Sequence, residues 1–65
     1  MAKGNVFNSF DGFGVEVYEG SELNHTKYFY GMKEAAKYAG EKEAQGYKVR
    51  IATVNKWGIV IDYID

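Results

Sequence analysis

The sequence predicts an α+β domain: an antiparallel sheet of four or five strands in the order ββ(β)αββ, with one helix packed on one face. Three observations carry this expectation. Apolar residues alternate with others over 13–18 and again after Gly46, the period of strands with one buried face. Between those stretches Met32, Ala35, Ala36 and Ala39 follow the i, i+3, i+4, i+7 spacing of one helical face. The 65 residues are 46% hydrophobic, 17% aromatic and 26% charged, which marks a folded domain and not a disordered tail. A chain this short buries only about 60% of the surface its unfolded form exposes, so a single domain over 1–65 with a thin core is expected.

The first element is read from "VFNSFDGFGVEV", where Asp11-Gly12 has the chemistry of a two-residue type I′ turn. A hairpin about that pair sets Phe10 against Phe13, Asn8 against Val15 and Val6 against Val17. Asn8 fits the apolar side poorly, so residues 4–10 form the less regular arm. "EGSELNH" reads as a polar connection, after which residues 26–30 resume an extended pattern that Gly31 breaks. The helix is expected over 32–45, with Lys33, Glu34, Lys37, Glu41 and Lys42 on its polar sides. Gly46 suits the left-handed residue just past its end, and Gly40 inside it costs roughly 1 kcal/mol relative to Ala.

"YKVRIATV" and "WGIVIDYI" flank Asn55-Lys56 and form a second hairpin. A three-residue loop, 55–57, is preferred over loops of two or four. It faces Val49, Ile51 and Thr53 with Tyr63, Ile61 and Ile59, and sets Arg50 opposite Asp62. Phe29 then packs beneath the first helical turn, which turns Tyr28 and Tyr30 to the opposite, outer face of the sheet. Tyr18, Glu16, Lys48, Arg50, Ala52, Val54 and Val60 are expected to share that face. Three tyrosines with valines there make an apolar patch of a few hundred Å², a size that signifies partners.

Chemistry is narrowed mainly by what the chain lacks. It has no cysteine and one histidine, His25, which excludes a Cys–His pair and a zinc site of several Cys and His ligands. His25 reads as a solvent-exposed spectator in a polar loop. Ser9 and Ser21 have no nearby base, and the glycines of "DGFGVEVYEG" follow a turn and a strand with no helix start to hold phosphate. No cofactor and no catalytic residue is expected. With 8 basic and 9 acidic residues the formal net charge is −1, so no strong field draws the protein to nucleic acid or acidic lipid. With neither a signal peptide nor a long apolar run, a cytoplasmic protein without a membrane partner is expected. Tyr and Arg are enriched at interface hot spots, so Tyr18, Tyr28, Tyr30, Lys48 and Arg50 are the candidate partner-binding residues. A protein partner is favoured; a second copy of the chain or single-stranded nucleic acid are the alternatives.

Residues 32–55, "MKEAAKYAGEKEAQGYKVRIATVN", resemble a pattern in small phage-encoded proteins: a short helix, a glycine, then a hairpin arm. In particular they are similar to the sheet-plus-one-helix anti-CRISPR proteins among the type I-F inhibitors, over about a third of the chain. The resemblance implies a non-enzymatic inhibitor that occupies a nucleic-acid-binding surface of a host defence complex such as CRISPR-Cas. Lys48 and Arg50 lie in the matching hairpin and are the positions it implicates.

Overall fold

The computed structural model describes residues 11–64. Its elements are β1 (Gly12–Glu19), β2 (Glu22–Phe29), α1 (Met32–Ala44), β3 (Lys48–Val54) and β4 (Val60–Ile64). All neighbours in the sheet are antiparallel and their order is β2-β1-β3-β4. The helix lies over β1 and β3 and touches β2. This is the ββαββ, α+β arrangement expected from the sequence, with four strands among the described residues. No helix among them is long and apolar enough to cross a membrane.

The first hairpin differs from the expectation. Gly12 is already a strand residue opposite Val54, and its φ is not positive, so Asp11-Gly12 is not a turn. The physical reason is that β1 is central: β2 occupies one edge and β3 the other, leaving no ladder positions for a further arm. Residues 4–10, the expected first arm, lie outside the described residues. The true turn is Gly20-Ser21, which closes Glu19 against Glu22. Gly20 has φ +66° while Ser21 stays at negative φ, the pattern of a II′ turn with glycine first. The stretch read as a polar connection is therefore turn and strand. β2 ends at Phe29, so Tyr30 stands just beyond the sheet.

The core is small and built from small residues. Val15 and Val17 are fully buried against Ala35 and Ala39, ringed by Phe13, Phe29, Tyr38, Tyr47, Val49 and Ile51. The two alanines let the helix backbone approach the sheet closely. Met32 and Ala36, expected on the buried stripe, are exposed, and Tyr38 and Lys42 take the stripe instead. Tyr38 wins because its ring reaches the edge strand, 5.4 Å from Phe29 between ring centroids. The Lys27 and Lys42 ammonium groups lie 5.1 and 5.4 Å from its centre, near enough for cation–π attraction. Its hydroxyl is 2.6 Å from His25 Nε2. His25 is thus a half-buried β2 residue facing the helix side, and not a spectator in a loop.

The helix ends as expected. Gly46 has φ +97°, its N–H donates to the Glu43 carbonyl, and the Tyr47 N–H donates to that of Lys42. These two bonds are the Schellman pattern that satisfies the last turn.

The second hairpin is shifted from the expected register. Asn55 closes the loop where it was expected to lie within it: its N–H donates to the Ile59 carbonyl, and its side-chain Oδ1 accepts the N–H groups of Trp57 and Ile59 at 2.9 and 3.0 Å. Gly58, at φ +78°, completes the turn. Val54 then pairs with Val60, Thr53 with Asp62, Ala52 with Tyr63 and Ile51 with Ile64. Arg50 is not opposite Asp62, and Tyr63 moves to the outer face. The step from Val54↔Val60 to Thr53↔Asp62 leaves Ile61 as an extra residue, a bulge in β4. Asn24 is the corresponding extra residue in β2, between His25↔Val17 and Leu23↔Tyr18.

Candidate binding face

Two small residues prepare the outer face. Gly14 on β1 pairs with Ala52 on β3, so the middle of this face is low. From the β2 edge, Tyr28 lays its ring over its ladder partner Gly14; a methyl group added there would meet the ring at 3.3 Å. The same ring also reaches Gly58 in the β3–β4 loop. From the β4 edge, Tyr63 extends past β3 until its hydroxyl reaches β1. Ala52 and Val54, expected as part of an exposed patch, are buried.

What Tyr63 reaches is Glu16, which is only 9% exposed. A buried carboxylate is costly unless its oxygens are hydrogen-bonded. Here the Tyr18 hydroxyl donates to Oε1 at 2.6 Å and the Tyr63 hydroxyl donates to Oε2 at 3.0 Å. Arg50, the ladder partner of Glu16, lays its guanidinium on the Tyr63 ring, 3.7 Å from the centroid. One face of Tyr63 is therefore fixed by a cation and its hydroxyl by an anion, a chain of contacts that orients Arg50, Tyr63 and Tyr18 together.

This arrangement shifts the two phenols. Tyr18 and Tyr63 are both held above the ordinary phenol value, chiefly because each donates to Glu16, then through loss of hydration and the carboxylate's charge, with Arg50 opposing. A raised folded pKa favours the neutral hydroxyl. It therefore contributes stability that is fully present below about pH 10 and is lost as pH rises through the shifted values. A phenolate titration followed at Tyr18 and Tyr63 should place both above the ordinary phenol value, and Glu16→Gln should bring both back toward it. A wild-type titration in which Tyr18 and Tyr63 ionise at the ordinary phenol value would contradict the geometry.

At the other end of the face is a cleft of about 430 Å³ lined by Asp11, Gly12, Tyr28, Phe29, Tyr30, Val54, Asn55, Lys56, Trp57 and Gly58. Tyr30 is 89% exposed here. The Lys56 ammonium lies 4.9 Å from the Trp57 ring centre.

The residues singled out in the sequence fall into two groups. Tyr18, Lys48 and Arg50 gather at the turn end of the outer face, where a second groove of about 380 Å³ is bounded by Tyr18, Gly20, Ser21, Lys48, Val49 and Arg50. Tyr28 and Tyr30 line the cleft at the opposite end. Sequence reasoning missed Tyr63 and Trp57 as members of these sites. Tyr63 was hidden by the shifted register; Trp57, beside the turn-forming Asn55, was legible as the lone tryptophan of the chain in a loop. Among the described residues no three His, Cys, Asp or Glu side chains gather in a way that would hold a metal ion. Compared with protein-family models, curated proteins and solved structures, the chain matches none.

Proposed function

We propose that the protein is a non-enzymatic, stoichiometric binding protein that docks on a partner protein with the outer face of its sheet. The resemblance of residues 32–55 to type I-F inhibitors makes the partner, in this reading, a nucleic-acid-binding host defence complex such as CRISPR-Cas. The protein is then a phage-encoded inhibitor working in the host cytoplasm. The observation that supports docking is the pre-arranged array on that face: Glu16 holds Tyr18 and Tyr63, and Tyr63 carries Arg50. Side chains ordered before contact lose little conformational freedom on binding, and Tyr and Arg are the types that anchor interfaces. Tyr30 and Trp57 add exposed aromatic area at the other end.

Single-stranded nucleic acid is the second reading, favoured by one feature: the cleft joins Tyr28, Tyr30 and Trp57 with Lys56, aromatic rings beside a cation. It requires salt-sensitive affinity for an oligonucleotide.

The test is partner capture from the native host with three baits: wild type, Tyr30→Ala and Arg50→Gln. Tyr30 and Arg50 are exposed, so circular dichroism should be unchanged. Tyr28 is a poorer choice, because its ring also covers Gly14. The reading expects a protein partner that both variants lose. An unchanged captured set would reject this face.

A further inference from the structure

We infer that the groove at the turn end of the outer face is a carboxylate-binding subsite, and that the docking partner meets it with an acidic segment. This rests on the docking reading above and specifies its chemistry. The two charged side chains that line the groove, Lys48 and Arg50, are both cations. They are two residues apart on β3, so both stand on the outer side, about 7 Å apart along the strand. Both are exposed, and among the described residues neither has a carboxylate within ion-pairing distance. Glu16, the ladder partner of Arg50, is buried and both of its oxygens are engaged by phenol hydroxyls. Stacking on Tyr63 sets the plane of the Arg50 guanidinium and leaves its N–H edges for a planar acceptor, the geometry that takes a carboxylate with two parallel hydrogen bonds. Ser21, on the groove's rim, adds a hydroxyl donor.

The charge count favours a protein carboxylate over a phosphate track. A nucleic-acid interface that neutralises several phosphates needs a run of cations, whereas this groove has two and the chain carries net charge −1. The same two cations oppose docking on the basic track of a nucleic-acid-binding complex. An acidic patch of such a complex is the surface they fit.

The probe is a blocked synthetic peptide of alternating Glu and Val, followed by amide NMR shifts. A Gln-for-Glu peptide and an oligothymidylate serve as comparison ligands. The Glu peptide should perturb Tyr18, Ser21, Lys48 and Arg50 saturably, and more weakly as salt is raised. Arg50→Gln should weaken it about tenfold or more, as expected for a charge-assisted pair, and Lys48→Gln less. Equal perturbation by the Gln peptide, tighter saturation of the same amides by oligothymidylate, or no perturbation by the Glu peptide would each overturn the subsite. If the peptide fails while Tyr30→Ala still abolishes partner capture, the docking face stands and its acid specificity falls.

Discussion

Asn55→Ala should lower the stability of the protein by roughly 1–3 kcal/mol, because two part-buried backbone N–H groups, those of Trp57 and Ile59, lose their acceptor at once and water replaces it only in part. The side chain is only 3% exposed, and its Oδ1 takes the N–H groups of Trp57 and Ile59. A 65-residue domain has a net stability of about 3–10 kcal/mol, so the variant is expected to lose a sizeable share of it. The effect is local before it is global: the β3–β4 loop carries Trp57 and Gly58, and with them one wall of the aromatic cleft. Chemical denaturation read by Trp57 fluorescence and by circular dichroism gives both. Asn55→Asp, which keeps an acceptor aimed at the same groups, should lose less. An Asn55→Ala midpoint equal to wild type would show that the turn holds without its side chain.

Gly12→Ala should cost roughly 2–3 kcal/mol through overpacking. A Cβ at this position would lie 2.7 Å from the Phe29 carbonyl oxygen, and neither partner can yield freely. Gly12 is held by β3 on its other side, and Phe29 is fixed against the helix through Tyr38. Relief requires β1 and β2 to part at this end, loosening Phe29 and Tyr28 with them. Gly40→Ala is the matched opposite. Nothing lies within 4 Å of its added methyl, and removing a helix-interior glycine should stabilise by about 1 kcal/mol. Equal midpoints for the two variants would refute the close approach at Gly12.

The contrast between these glycines shows where sequence reasoning reached and where it stopped. Gly46 was legible because a helix end is local: the spacing of Ala35 and Ala39 and the break after Gln45 need no knowledge of the rest of the chain. Asp11-Gly12 and Gly20-Ser21 are both good turn pairs by local chemistry. What separates them is which strand lies beside β1, and that depends on pairing with β3, thirty or more residues away. The outer face followed the same division. Tyr18 and Glu16, two apart on one strand, share a side by strand period alone, and Tyr28 turns outward once Phe29 turns in. Tyr63 could not be assigned, because its route to Glu16 depends on a one-residue bulge at Ile61 and on the seat that Ala52 leaves. The helix stripe was misread at Ala36 for a related reason: the periodicity allowed either flank, and Tyr38 is drawn to the side where β2 offers Phe29 and His25.

The two bulges bear on how the molecule meets others. Asn24 and Ile61 sit in the two outermost strands of the sheet formed by the described residues, so each of these strands has a local break in its run of main-chain donors and acceptors. Such irregular borders resist annealing to a foreign strand. The sheet is thereby discouraged from growing sideways into ribbons, and association is directed to its broad side, where side-chain chemistry and not generic backbone pairing selects the companion.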